Sequence, residues 1–413
     1  MISLARKNLL KDLPRFLVAQ AGILFAVSLV TIQTGVLKGF TRSTTLLIQQ
    51  SQADVWVASD NWVNFELTEP FPYLLIRQAR QVDGTAQVEP LLIGSGRWFS
   101  PGNELTTLRI FGFDPDGSLF RPGMVTSEGL QALKQPYTAI IDRVNRRSFG
   151  IESVGDSARI RSLPVRVVGF TEDTQSMVSS KFVFASLANA SAYTTEGYSS
   201  ELTCQFEAGG LNCVNTYQRD QTTAAAPPPP QELAADTPVA YLLVEAAPGQ
   251  DLSALKQRLE QAIPGTRAFT RAELIEDTQA YWRDRTGVGF VLSLGAVVGV
   301  MVGMVIVAQI LYTSVSEHLK EFATLKAIGA SDWDIYGVIV EQALWMAILG
   351  YIPGVALCWG LGVWTQASQG ILIWITPVSA TGVLGITVLM CLGSATFAIQ
   401  KVMRVDPGRV FKA

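Results

Sequence analysis

Four long apolar runs constrain this chain more than any other feature of its sequence. A helix needs roughly 20 apolar residues to cross a hydrocarbon core, and runs of that length occur at 16–37, 287–312, 338–364 and 377–400. Only the third carries an acid, Glu341, within its first turn, where it can reach headgroups or a protein partner. The first run follows a basic leader, as a secretory signal does. Its Ala19-Gln20-Ala21, however, stands at the start of the apolar stretch and not at its end, and the stretch is about twice as long as a signal core. It is therefore read as a retained membrane helix.

Lys and Arg near the ends of spans stay on the cytoplasmic side. Arg6, Lys7, Lys11 and Arg15 precede the first span, Lys320 and Lys326 lie between the second and third, and Lys401, Arg404, Arg409 and Lys412 follow the fourth. Both termini are thus expected in the cytoplasm, with the uncharged loop 365–376 and the long segment 38–286 outside. Residues 1–15 place Ile2, Ala5, Leu9 and Leu13 on one stripe, the pattern of an amphipathic helix lying on membrane lipids.

The fold class that follows is a membrane protein with four transmembrane α-helices, one plus three, and a large α+β domain between helices 1 and 2. Stalk helices are expected at 38–52 and 269–286. Strand patterns occur at 53–57, 87–94, 107–113, 137–141, 165–170, 182–185 and 240–245, and helix patterns at 73–82 and 252–262, the latter with Asp251 as N-cap. The simplest assembly is a core from 53–115 and 236–270, with 116–235 inserted as a second lobe. Cys204 and Cys213 bracket a Gly209-Gly210 turn and are expected to form a local disulfide on the oxidising side of the membrane. Ala224 to Pro230 reads as an exposed semi-rigid linker.

Several function classes are excluded. A net charge of −3 gives no basic surface for nucleic acid. The lone His318 and scattered cysteines supply neither a metal cage nor a catalytic triad, and no Gly-x-x-x-x-Gly-Lys loop is present to bind ATP. Asp114-Pro115-Asp116-Gly117 is a turn and not a carboxylate pair. No span carries a buried charge or a row of polar groups that would make a conducting path, so the chain is read as neither an enzyme nor a pore and holds no cofactor of its own.

The segment 313–337 is the informative one. Leu319, Phe322, Ala323 and Ile328 can share one face of a short helix, with Glu317, Lys320, Glu321 and Lys326 on its polar side. Gly329 suits a helix stop, and Ser331 with Asp334 forms a start signal for the next helix. Such a helix can dock into a groove on a soluble protein, or it can simply reverse the chain. Gly295, Gly299 and Gly303 in the second span and Gly350 and Gly354 in the third recur every four residues, which suits close helix packing within or between subunits.

The stretch Lys320-Glu-Phe-Ala-Thr-Leu-Lys-Ala-Ile-Gly-Ala330 resembles the signature of the FtsX/MacB-type ABC transporter permeases, although Phe322-Ala323 stands where that family usually has Ile-Gly. The one-plus-three arrangement of spans agrees, and within the family the chain is most similar to DevC-type permeases of glycolipid exporters, which have no fused ATPase. The resemblance implies a cytoplasmic ABC ATPase subunit, carrying ATP and Mg, docked on Glu317, Leu319, Lys320, Glu321, Phe322, Leu325, Lys326 and Gly329, with Glu341 beside it. It further implies a permease homodimer in the inner membrane, a periplasmic membrane-fusion adaptor and a TolC-like outer-membrane channel, and export of a lipid-like or amphiphilic substrate. The same architecture serves regulators of cell-wall hydrolases and lipoprotein-releasing permeases.

Overall fold

The computed structural model describes residues 13–195, 199–207, 210–218, 227–317, 321–324, 328–329 and 331–403. The leader 1–12, Leu319, Lys320, Leu325, Lys326, the linker before Pro227 and the tail from Arg404 lie outside these residues. The chain divides into two compact units, one made of the first helix up to Gly39 with the segment from Thr286, the other of Phe40–Arg285.

Helix α1 runs from Leu13 to Ser43. It ends where hydroxyls compete for backbone carbonyls: Ser43 Oγ donates to Phe40 O at 2.8 Å and Thr44 Oγ1 to Thr41 O at 2.8 Å. A short α2, Leu46–Gln50, follows. The stalk expected over 38–52 is therefore two helices with a break at Thr44-Thr45.

The domain then forms β1 (Val55–Ser59), β2 (Phe71–Pro72), α3 (Ile76–Arg80), β3 (Thr85–Phe99), β4 (Leu105–Phe113), α4 (Ser127–Ala132), β5 (Thr138–Asp142), α5 (Arg146–Phe149), β6 (Ser157–Ile160), β7 (Leu163–Thr171), β8 (Lys181–Ser186) and α6 (Leu187–Thr195). After these come β9 (Ser199–Glu207), β10 (Gly210–Gln218), β11 (Pro238–Val239), β12 (Tyr241–Ala246), α7 (Leu252–Ala262), β13 (Thr266–Thr270) and α8 (Arg271–Thr286). Nine strands make one sheet in the order β13-β1-β12-β3-β4-β8-β5-β7-β6. Every residue of β1 is buried, because the sheet is covered on both faces there. Trp56 packs edge-on to Tyr241 and Phe65 on one side, while Val55 and Val57 meet Leu255 and Leu259 of α7 on the other. Asp251 caps α7, its carboxylate accepting from Ser253 N at 3.1 Å.

Two expectations fail for the same non-local reason. Residues 116–235 do not form a separate lobe, since β8 joins β4 in parallel register from Leu108↔Lys181 to Phe113↔Ser186 and so extends the sheet. Phe269 does not open a stalk helix. It lies in β13 opposite Trp56 and packs against Trp62 at a centroid distance of 4.8 Å, so the helix begins only at Arg271. Away from the sheet, β9 and β10 form a hairpin whose register sets Cys204 opposite Cys213.

Three long helices close the chain: α9 (Val288–Glu317), α10 (Asp332–Gln369) and α11 (Pro377–Met403). Gly287, at φ +62°, separates α8 from α9 in a conformation glycine adopts without a Cβ penalty. Helix α10 continues beyond the expected end of the third span, past Pro353, to Gly370. The loop after it folds back along α1, where Trp374 N donates to Gly35 O at 3.0 Å. With α1, these are the helices long and apolar enough to cross a membrane among the described residues.

Candidate functional site

Helix α9 is apolar on every side, so hydrophobicity alone cannot select its inner face. Residue size does. Gly299, Gly303, Val307, Leu311 and Val315 are its buried positions, a stripe at four-residue spacing. A Cβ at Gly295 would lie 2.5 Å from Gln33 Nε2, at Gly299 2.9 Å from Leu29 Cδ2, and at Gly303 2.6 Å from both Ala26 Cβ and Met390 Sδ. On α10, a Cβ at Gly350 would lie 2.5 Å from Ile23 Cγ2, and at Gly354 2.8 Å from Val27 Cγ1. Both glycine faces thus pack within the chain, and both against α1. Side chains left outward on α9, among them Phe290, Leu294, Val298 and Met301, form an apolar surface that only lipid or another apolar body can cover.

The interior of this bundle is less apolar than the sequence leads one to expect. Gln20, Ser28 and Thr31 lie along one side of α1; Ser28 and Thr31 are buried, and Cys358 Sγ of α10 donates to Ser28 O at 3.5 Å. Gln20 Nε2 donates to Met346 O at 3.4 Å. On α11, buried Ser394 donates to Met304 O of α9 at 2.8 Å. Uncharged polar groups therefore do lie buried between the helices, at the contacts of α1 with α10 and of α9 with α11. Isolated Ser and Thr, whose hydroxyls can bond to their own helix, do not interrupt an apolar run.

The connection between α9 and α10 is described at 321–324, 328–329 and from Ser331. Residues 321–324 form a helical turn. Phe322, 3% exposed, and Ala323 join the bundle core with Val315, Ile335 and Ile339, so Phe322 faces inward and not toward a soluble partner. Ile328, placed by periodicity on the same face, is 80% exposed. Glu317 and Glu321 are exposed, as the polar side requires. Gly329 sits at φ +105°, which accounts for the helix stop. Ser331 and Asp334 complete a capping box, Ser331 Oγ accepting from Asp334 N and Asp334 Oδ2 from Ser331 N at 3.0 Å. Next to the cap, Trp333 is 81% exposed and meets Tyr336 edge-on at 5.9 Å. Sequence reasoning passed over Trp333, although an aromatic in the first turn of a helix beside a charged segment was a visible signal. Glu341 accepts from Trp345 Nε1 at 3.3 Å, one turn further along α10. Among the described residues no group of His, Cys, Asp and Glu side chains is arranged to hold a metal ion.

Four apolar helices of membrane-crossing length and an α+β domain with its own cores define an integral membrane protein with one large domain outside the bilayer. The MacB-like periplasmic core domain model matches residues 16–262, more than half of the chain, and the FtsX-like permease C-terminal model matches residues 293–407. The chain belongs to the MacB/FtsX-type family of ABC permease components of the inner membrane, and the domain between α1 and α9 is its periplasmic core domain. It is 23% identical over 234 residues to a "Probable export ATP-binding/permease protein MacB" of Pseudomonas entomophila (strain L48), covering 56% of this chain and 30% of that one. It is 23% identical over 398 residues to an uncharacterized ABC transporter permease of Mycobacterium tuberculosis (strain ATCC 25618 / H37Rv), covering 95% and 94%. The chain spans only about a third of the length of the MacB relatives it matches, 36% for the "Macrolide export ATP-binding/permease protein MacB" of Burkholderia cenocepacia (strain HI2424). Among solved structures, the periplasmic region of MacB from Actinobacillus actinomycetemcomitans aligns with a TM-score of 0.32 and 11% identity, over 55% of this chain and 94% of that one.

Proposed function

We propose that this chain is the permease subunit of an ABC export system of the DevC type, driven by a separate cytoplasmic ATPase and working as a homodimer. Both termini and the α9–α10 connection face the cytoplasm, as the distribution of Lys and Arg favours. ATP-driven closure of the partner pulls on that connection, and the motion reaches the periplasmic domain through α1 and α9. There the domain engages a membrane-fusion adaptor and a TolC-like channel, and a lipid-like or amphiphilic substrate is expelled. Relatives named as export permeases and the match to both family domains support this reading.

The observation that carries it is the exposed pair Ile328 and Trp333, the first beside Gly329 and the second within the Ser331–Asp334 capping box that follows the signature segment. Large exposed apolar side chains beside a turn can serve as anchors for a pocket on another protein. They replace Phe322, whose burial gives it a supporting role beneath the turn.

The test is co-purification of the ATPase with Ile328→Asp and Trp333→Asp variants in mild detergent. Each is expected to lower recovery of the ATPase at least about tenfold while the variant still reaches the membrane. Undiminished recovery in both overturns the docking assignment, and capture of a cell-wall hydrolase without adaptor or channel replaces the exporter by a regulator.

A further inference from the structure

The two faces of strand β3 meet different surroundings. Leu92 and Trp98 point into a core shared with Leu108, Ile110 and Ile160, whereas Leu91 and Ile93 on the other face pack with Phe111. That second core ends at Ile93. Beyond it the same face carries Ser95, Arg97 and Phe99 of β3, with Arg109, Thr107 and Leu105 of β4 opposite them. Arg159 of β6 stands opposite Phe99. Ser95, Arg97, Thr107 and Arg159 are exposed and Leu105 is 58% exposed, so this part of the sheet face is open to water.

The open face is strongly basic. Residues 95–99, 105–109 and 157–161 hold four arginines and no acid. Arg109 Nη1 donates to Ser95 Oγ at 2.7 Å and Arg161 Nη2 to Ser95 O at 3.2 Å, so two guanidiniums converge on one residue. Arg159 lies over the Phe99 ring at 5.2 Å and donates to Asn103 Oδ1 at 3.0 Å. Acids nearby are Glu104, in the turn between β3 and β4, and Glu66, whose buried carboxylate accepts from Arg109 at 3.4 Å and from Ser179. Glu66 thus answers Arg109, while Arg97 and Arg159 have no ion pair among the described residues. Like charges gathered this way repel one another, a cost that a counter-charge from outside would remove.

We propose that this face is a docking surface for an acidic segment of a partner protein on the periplasmic side, its carboxylates pairing with Arg97 and Arg159 and an apolar side chain resting on Phe99 and Leu105. Arg97 is the diagonal neighbour of both Arg109 and Arg159, a separation of roughly 7–8 Å on a sheet. Carboxylates on alternate residues of an extended chain stand about 6.6–6.8 Å apart and meet that spacing. All the cations are arginines, whose planar fork holds a carboxylate through two parallel hydrogen bonds. Arginine beside an aromatic ring is a composition enriched at protein interfaces, and a flat sheet face offers no pocket to enclose a small anion. The inference does not depend on what the system transports.

Fluorescence anisotropy on the full chain in detergent tests this, with a labelled Thr-Glu-Thr-Glu-Thr-Leu-Thr peptide as probe. The peptide is expected to bind, and the double variant Arg97→Gln with Arg159→Gln to weaken it by about tenfold or more. Both side chains are exposed, so the double variant should unfold at the wild-type temperature. Arg77→Gln, at an exposed position on α3, should leave the affinity within about twofold. Raising salt well above the physiological level should weaken binding by about threefold or more, and the peptide with Gln in place of Glu should not bind. No binding of the Glu peptide, equal binding of the Gln peptide, or an equal effect of the double variant and Arg77→Gln overturns the proposal. Displacement by inorganic phosphate but not by chloride at equal ionic strength overturns it in favour of a phosphate-bearing ligand.

Discussion

Gly303 of α9 lies so close to Ala26 of α1 that a Cβ on it would stand 2.6 Å from the alanine methyl, and equally close to Met390 Sδ of α11. Three helices meet at that point, and no rotamer change removes a clash with a methyl group. Gly303→Leu is therefore expected to cost roughly 2–3 kcal/mol of bundle stability through overpacking. Gly385→Leu, at a site with nothing within 4 Å, is expected to stay within about 0.5 kcal/mol. Thermal unfolding of both variants in the same detergent checks the contrast.

In the periplasmic domain, burial pushes the Glu66 carboxyl above its ordinary value, opposed by hydrogen bonds from Ser179 and Arg109, the latter at 3.4 Å. A carboxyl whose folded pKa is raised binds its proton more tightly folded than unfolded. Its contribution to stability is complete below the unfolded value near 4.5 and is lost as pH rises through the folded one. Each unit of displacement is worth about 1.4 kcal/mol. Stability is thus expected to include a component that grows on acidification from pH 7.5 toward 4.5 and is absent in Glu66→Gln. Unfolding curves of the two proteins across that range measure it; identical slopes would remove Glu66 from the account.

The β9–β10 hairpin sets Cys204 opposite Cys213 in antiparallel register, a pairing close enough for a cross-strand bridge. The oxidised protein is expected to yield a Cys204–Cys213 linked peptide by mass spectrometry without reductant. By loop-closure entropy the bridge is worth roughly 2–3 kcal/mol to the hairpin, so Cys204→Ser with Cys213→Ser is expected to make it a preferred site of limited proteolysis. Free thiols in protein isolated from the oxidising side would refute the bridge.

Features carried by a few neighbouring residues were legible in the sequence. The Asp251 cap, the Ser331–Asp334 capping box, the Asp114–Gly117 turn and the Gly329 stop all appear where spacing places them. Features that depend on a distant partner were not. Phe269 reads as the start of a helix until β1 is beside it, and Phe322 and Ile328 share a helical face on paper while one is buried and the other exposed.

The sequence by itself determined that four segments suit lipid, because runs of that length and apolarity exceed what a helix of a soluble domain needs, and that an α+β domain is built from the segment between the first two. Tertiary structure alone decided which face of each apolar helix turns inward, that the glycines of α9 and α10 receive α1, and that β8 joins β4 to make one sheet out of two expected lobes. The physical reason is range. Hydrophobicity and turn chemistry act over a few residues, whereas close packing and strand order are set by groups that meet only after the chain has folded.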